Sequence, residues 1–307
     1  MEVPVIDFSK LEGEKRDETM ALLHQACEKR GFFVIENHGI DPKLMEKVKN
    51  LVTRHYEENL KERFYQSEIA KKLENSNIIS DADWESTFFI WHRPTSNIRE
   101  ISNLSEDLCK TMDEYIAELI KLAEKLSELM SENLGLDKDH IKKSFSGGKN
   151  SPAVGTKVAM YPQCPNPEMV RGLREHTDAG GIILLLQDDQ VPGLEFSRDG
   201  NNNKWVEIPP SKNNAIFVNI GDQVEVMSNG VYKSVKHRVM CDRDGSRLSI
   251  ATFYNPNGEA IVSPAPSLLY PSGYSFGEYL KLYGSTKFGE KGPRFEAMKH
   301  MANGHYN

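Results

Sequence analysis

Apolar residues fall along this chain in two rhythms, and the change between them divides it. In the first half they recur every three or four positions. The clearest stretch is residues 104–135. There Leu108, Met112, Tyr115, Ile116, Leu119, Ile120, Ala123, Leu126, Met130 and Leu134 return at helical spacing, with charges opposite and Gly135 at the end. This stripe predicts an amphipathic scaffold helix rather than a site. Segments 16–31 and 41–65 predict two more helices, the first closing at Gly31, where glycine suits a helix end. VPVIDF and GFFVIENHG are short strand candidates within this mainly helical region.

From about Val154 to Pro264 the rhythm shortens. GTKVAMYP, GIILLLQ, GLEF, KWVEIP, NAIFVNIG, SVKHRVM, RLSIATFY and AIVSP are apolar runs split by Gly, Pro and Asn. Eight short strands so closely spaced predict an antiparallel sandwich or jelly roll, whose open mouth suits a small-molecule site. SRDGNNNKW reads as a hairpin turn. YSFGEYLKLYG and GPRFEAMKHM return to helix, and the tail ANGHYN is expected to fray. The expected architecture is mostly β with flanking helices, in one structural unit. Residues 1–150 form a helical N-terminal region, 151–265 the jelly-roll core and 266–307 the C-terminal helices.

Composition narrows the function. The 307 residues are 38% hydrophobic and 27% charged with a net charge of -7, and basic blocks interleaved with aromatics are missing. A nucleic-acid partner and an acidic membrane surface are therefore disfavoured. No apolar run is long enough for a membrane span, and the first residues lack the basic and apolar regions of a secretory leader. Cys27, Cys109, Cys164 and Cys241 are scattered without zinc-like spacing, which suits free thiols in a reducing cytoplasm.

The chemistry concentrates at LREHTDAGG, residues 173–181. In a strand, His176 and Asp178 would face the same way and aim a ring nitrogen and a carboxylate at one point. That point is a metal, or the two form an ordinary His–Asp hydrogen bond, and the pair alone does not decide. Of nine histidines, His24 and His55 sit in helical patterns and His38 at a strand-to-turn junction. His92 and His140 lack ligand-spaced neighbours, and His300 and His305 are in the tail. His237 remains, 59 residues beyond Asp178 in a strand-like run. Two histidines and a carboxylate on one face leave positions open, which suits Fe(II) working with O₂ and a chelating substrate. A structural zinc site would close with a fourth ligand, for which Cys241 is an outside possibility. Arg247 and Ser249, again two apart, can bind a carboxylate, from the protein or, with a metal site nearby, from a ligand.

Together, His176-x-Asp178, His237 and Arg247-x-Ser249 resemble the plant non-haem Fe(II)/2-oxoglutarate-dependent dioxygenase superfamily. YPQCPNPE, NIGDQVEVMSNGVYKSVKHRV, PVIDFSKL and GFFVIENHGI also read as that superfamily, over nearly the whole chain. DWESTFF, GLREHTDAGGIILLLQDD, SPAPSLLYPSGY and KGPRFEAMK are most similar to its 1-aminocyclopropane-1-carboxylate oxidase branch, the ethylene-forming enzymes of plants. The resemblance implies a distorted double-stranded β-helix holding Fe(II) on His176, Asp178 and His237. It implies oxidation of 1-aminocyclopropane-1-carboxylate by O₂ to ethylene, CO₂ and cyanide. Ascorbate would be the co-substrate and bicarbonate the activator, and substrate amine and carboxylate would chelate the iron.

Within this frame Lys157 and Tyr161, four apart on one strand, are candidates for an anion-binding wall with Arg247 and Ser249. The alternative for Lys157 is a solvated strand end. Pro293 fits a first helical position, which puts Arg294 in the first turn, where a cation opposes the helix dipole. Bicarbonate or ascorbate resting there would remove that conflict. The competing expectation is a surface pairing of Arg294 with Glu290 or Glu296. Glu175, Gly292 and Trp91 depart from the family pattern without touching the proposed ligands. Two rival functions stand beside the oxidase. One is a 2-oxoglutarate-dependent hydroxylase or desaturase of a plant metabolite. The other is a non-catalytic jelly-roll binding module that holds a metal for stability.

Overall fold

Among the described residues, the strand-forming segments build two main sheets and a short two-stranded one. In this computed structural model, which describes residues 3–75, 78–148, 150–197, 204–264 and 273–302, the chain opens with β1 (Val5–Asp7), α1 (Arg16–Lys29) and β2 (Phe32–Glu36). Then come α2 (Pro42–His55), a π-helical turn at Tyr56–Leu60, α3 (Lys61–Tyr65) and α4 (Glu68–Glu74). After β3 (Ser86–Arg93), α5 (Glu106–Asn133) and α6 (His140–Ser146) lead into β4 (Ala153–Tyr161), β5 (Arg171–His176) and β6 (Ile182–Gln187). β7 (Leu194–Ser197), β8 (Trp205–Glu207) and β9 (Ile216–Ile220) precede α7 (Asp222–Met227). β10 (His237–Met240), β11 (Arg247–Asn255), β12 (Ile261–Val262), β13 (Tyr274–Ser275), α8 (Phe276–Thr286) and α9 (Lys291–Ala302) complete the order.

The larger sheet runs β1-β2-β9-β6-β11-β4-β3 and the smaller β5-β10-β7-β8. Alternation decides which side chains reach the space between them. Ile182, Leu184 and Leu186 of β6, with Ile216, Val218 and Ile220 of β9, pack into the core shared with α1, α2 and α5. Leu185 and Phe217, on the opposite parity, pack instead with Leu173, Phe196 and Val239 of the smaller sheet. The run IILLLQ is apolar throughout because β6 is buried on both faces. By the same parity Thr156 turns away from the inter-sheet space and shares a 2.8 Å hydrogen bond with Thr252.

Local signals set the helices. The Ser105 hydroxyl caps α5 by accepting from the Leu108 N–H, and Glu106 and Asp107 occupy its positive first turn. α1 ends at Gly31, whose φ is +72°, and a Cβ there would stand 2.1 Å from the Lys233 carbonyl oxygen. No helix among the described residues is long and apolar enough to cross a membrane.

Three strands escaped the sequence reading, the shortest being β13 at the start of a segment expected to be helix. β3 lies in the region expected to be helical, and β5 was absent from the eight runs. β3 is an edge strand with only Ile90 buried, and β5 carries Arg171, Arg174 and Glu175, so neither shows a clean apolar alternation. The expected SRDGNNNKW turn falls mostly outside the described residues, although its flanks pair antiparallel with Ser197 opposite Trp205. Of the tail expected to fray, Ala302 ends α9, and residues 303–307, His305 included, lie outside the described residues, as does the His300 side chain.

Candidate metal centre

Strand register creates the site. β5 and β10 pair antiparallel with His176 directly opposite His237. β5 ends at His176, so Asp178 reaches the same point from the turn beyond the strand, not from the strand face expected. That turn is built closely. Asp222 N–H donates to the Asp178 carbonyl at 2.8 Å and Gln223 N–H to that of Gly180 at 2.9 Å. A Cβ on Gly180 would sit 1.8 Å from Asn255 Oδ1, which accepts from the Gly181 N–H. Only glycine allows the approach.

One potential ligand atom from each of His176, Asp178 and His237 lies within 4.8 Å of the other two, and all three residues are buried. His176 Nε2 is 3.8 Å from Asp178 Oδ1, and His237 Nε2 is 3.5 Å from Asp178 Oδ2. The other ring nitrogens face carbonyl oxygens: His176 Nδ1 to Arg174 at 2.8 Å and His237 Nδ1 to Val235 at 3.3 Å. A carbonyl only accepts, so Nδ1 carries the proton and both Nε2 lone pairs point inward, the tautomer a ligand needs. Burial, then the neighbouring His237 and Lys287, push the His176 pKa well down and keep that imidazole neutral. Asn219 Nδ2 donates to Asp178 Oδ2 at 2.7 Å and fixes the carboxylate. Phe196 stacks on His237 at 4.8 Å between ring centroids. Two imidazoles and one carboxylate on one face form a donor set suited to Fe(II).

The triad opens into a cavity of about 430 Å³ between the sheets. Lys157, Tyr161 and Ser249 line it as parity required, joined by Lys287 and Tyr283 from the C-terminal side. Lys157 is no solvated strand end, because its Nζ donates to both oxygens of Glu85 at 2.8 and 2.7 Å. Burial and the nearby Lys157 lower the Lys287 pKa. Arg247 is buried and opposite Tyr161 in the β11–β4 ladder. Its Nη2 donates to Gln187 Oε1 at 2.7 Å, and its buried Nε has no partner. Of the two partners expected for Arg247, a protein acid is thus ruled out in favour of a neutral amide, and Arg247 itself is not among the residues lining the cavity, where a ligand carboxylate would lie.

Behind the triad stands a carboxylate that sequence reasoning missed. Asp222, completely buried, accepts from Ser234 Oγ at 2.6 Å on Oδ1. Its Oδ2 accepts from Thr177 Oγ1 at 3.2 Å, Tyr279 Oη at 2.5 Å and Arg294 Nη2 at 3.3 Å. Burial raises its pKa against the pull of Lys291, Ser234, Tyr279 and Arg294. Thr177 lies between two metal-ligand candidates and also accepts from Arg294 Nη2 at 2.7 Å. Tyr283 Oη donates to the Thr177 carbonyl. One buried group therefore ties α8, α9 and the segment before His237 to the turn that carries Asp178.

Several expectations are corrected here. Arg294 pairs with Asp222, not with Glu290 or Glu296, so a protein carboxylate meets its charge. α9 starts at Lys291, which makes Pro293 its third residue rather than its first. Cys241 is no fourth ligand. β10 changes register against β5 after His237 and again after Val239, which breaks the assumed parity, and Cys241 packs with Cys164 against the cluster of Phe64, Leu73 and Trp84. His38 behaves as expected of a junction residue, with Nε2 2.9 Å from the Asn214 carbonyl. Glu85, Asn219, Asp222 and Lys287 were missed individually, although DWESTFF and NIGDQ contain three of them.

Comparison with known proteins agrees with this geometry. Residues 152–256 match the 2OG-Fe(II) oxygenase superfamily, and residues 3–107 match the family described as non-haem dioxygenase in morphine synthesis N-terminal. The chain is 69% identical to 1-aminocyclopropane-1-carboxylate oxidase 1 of Arabidopsis thaliana, covering 99% of this chain and 96% of that one. It is 49% identical to 1-aminocyclopropane-1-carboxylate oxidase 1 of Malus domestica, covering 96% of each. Among solved structures, JOX2 in complex with 2OG, Fe and JA superposes with a TM-score of 0.78 at 30% identity, covering 96% of this chain and 88% of that one. An inward-facing His-Asp-His set between two sheets, on a chain this similar along its whole length, places the protein among the non-haem iron oxidoreductases: it belongs to the 2OG-Fe(II) oxygenase superfamily and, within it, to the 1-aminocyclopropane-1-carboxylate oxidases.

Proposed function

We propose that this enzyme oxidises 1-aminocyclopropane-1-carboxylate with O₂ to ethylene, CO₂ and cyanide, with ascorbate as electron donor and bicarbonate as activator. O₂ takes up four electrons and becomes two waters, two electrons coming from the amino acid and two from ascorbate. The observation that carries the reading is the buried His176–Asp178–His237 face opening on a cavity between the sheets, in a chain 69% identical to an oxidase of that name. His176, Asp178 and His237 would hold Fe(II), which supplies redox chemistry with O₂ at positions the protein leaves open.

The chain's own residues do the rest. Arg174 and Val235 carbonyls hold the imidazoles in the ligating tautomer, and Asn219 holds the carboxylate. Lys157 and Lys287 give the cavity wall a positive character that attracts the substrate carboxylate. Tyr161 and Ser249 add polar groups there, and Arg247, with Nε unmet, lies opposite Tyr161 in the strand ladder and outside the cavity lining. Arg294 acts as a positioning residue beneath Thr177. The apolar inner faces of β6 and β9 exclude bulk water, which protects reactive species. Four unpaired cysteines suit a reducing cytoplasm.

The test varies the co-substrate. Purified protein with Fe(II), ascorbate, bicarbonate and 1-aminocyclopropane-1-carboxylate is expected to release ethylene without 2-oxoglutarate. No ethylene, with succinate formed once 2-oxoglutarate is supplied, would move the chain to the hydroxylase reading. Neither product from folded, iron-loaded protein would leave a metal-holding binding module.

A further inference from the structure

Cys164 and Cys241 lie outside the machinery above, yet the fold brings them together across 77 residues. Cys164 follows β4 by three residues, and Cys241 is the first residue after β10. Their segments are laced side by side. Cys164 N–H donates to the Asp242 carbonyl at 2.8 Å. Gln163 N–H donates to Ser246 Oγ, and its side-chain amide to the Arg243 carbonyl, both at 2.9 Å. Both cysteines pack in the small cluster of Phe64, Leu73, Trp84 and Val170, Cys164 fully buried and Cys241 partly exposed.

We propose that Cys164 and Cys241 form a reversible dithiol–disulfide pair, closed by a peroxide. A disulfide requires Cβ atoms about 3.5–4.5 Å apart, a separation that two segments laced side by side can provide. Peroxide reaches the partly exposed Cys241 and transfers one oxygen to its sulfur, giving a sulfenic acid and water. The Cys164 sulfur attacks that sulfur, the S–O bond breaks, and the hydroxide leaves with the Cys164 proton as a second water. Two thiols and one hydrogen peroxide become one disulfide and two waters, the sulfurs giving up two electrons. The neighbouring cysteine lowers the Cys164 pKa and raises that of Cys241, so Cys164 is the better attacking thiolate, whereas Cys241 meets peroxide through its exposure. Cys27 is fully buried elsewhere in the main core, and Cys109 Sγ donates to the Ile98 carbonyl, so both are internal controls. The closed bond would staple the far end of β10, which begins at His237, to the segment leaving β4, which carries Lys157 and Tyr161.

The test treats the full-length protein as purified with one equivalent of hydrogen peroxide, blocks remaining thiols with iodoacetamide and maps peptides without reduction. Expected are a Cys164–Cys241 cross-linked peptide two hydrogens lighter than its separate parts, alkylated Cys27 and Cys109, and full reversal by dithiothreitol. Cys241→Ser, a change at a partly exposed site, should abolish the cross-link and leave Cys164 alkylatable after unfolding. Four alkylatable thiols after a dose that oxidises free glutathione, or loss of thiols in any other pairing, would overturn the proposal.

Discussion

Asp222→Asn isolates one charge in the most enclosed part of the site. The side chain keeps its shape, but Arg294, only 1% exposed, loses its counter-ion, and one acceptor oxygen becomes a donor. The four donors now aimed at Asp222 come from Ser234, Thr177, Tyr279 and Arg294. Ser234 can rotate its hydroxyl to accept from the new amide, so the hydrogen-bond loss is partly absorbed. The unmatched guanidinium is not. Breaking a buried ion pair from one side costs about 3–5 kcal/mol. For a chain of this size that is roughly 6–10 °C in Tm, at about 2 °C per kcal/mol. Because Thr177 stands between His176 and Asp178, loosening it should also weaken divalent-metal binding by about 10–100-fold, as loss of groups supporting metal ligands does. Thermal scans and a Mn(II) titration of the same preparation read both effects. Arg294→Met alone should be destabilising too, and in combination with Asp222→Asn should cost less than the sum. A wild-type Tm and metal affinity in Asp222→Asn would refute this reasoning.

Asn219→Ala removes the 2.7 Å donor to Asp178 and should reduce metal affinity about ten-fold or more in the same titration, with the fold intact by circular dichroism. Lys157→Met strands Glu85 and removes cavity charge, so the KM for 1-aminocyclopropane-1-carboxylate should rise about ten-fold, the equivalent of roughly 1.4 kcal/mol, in initial-rate assays. Gly180→Ala places a methyl group against Asn255 and should give folded protein with little bound metal, or none, by elemental analysis. Burial pushes the His92 pKa down from 6.5 to about 4. Its contribution to stability is therefore complete above pH 6.5 and declines as pH falls from 6.5 towards 4, where the unfolded chain binds the proton first. His92→Phe should flatten that part of the Tm–pH curve.

The triad was legible because few residue types can hold iron and the strands that carry them are marked by local pattern. His176 and His237 needed only a shared sheet, which register then supplied. Lys157, Tyr161 and Ser249 followed from strand parity. What escaped depended on pairings between distant segments. Glu85 meets Lys157 because β3 lies beside β4, and β3 itself was hidden by its exposed edge position. Asp222 and Arg294 are 72 residues apart, on α7 and α9, and no local spacing announces their contact. Arg294 thus stood out in the sequence as a cation needing an anion, while the anion it meets could be found only in three dimensions. Asp178 shows a subtler limit: its spacing from His176 was informative, but a turn rather than a continued strand delivers it to the metal.

The most direct test of the account is ethylene release by gas chromatography from wild-type protein and from His176→Ala, Asp178→Ala and His237→Ala. Each assay contains Fe(II), ascorbate, bicarbonate and 1-aminocyclopropane-1-carboxylate, and 2-oxoglutarate is withheld. The account predicts ethylene from the wild type and loss of it in all three folded variants. Undiminished ethylene from any one of them, or none from iron-loaded wild type, would contradict it.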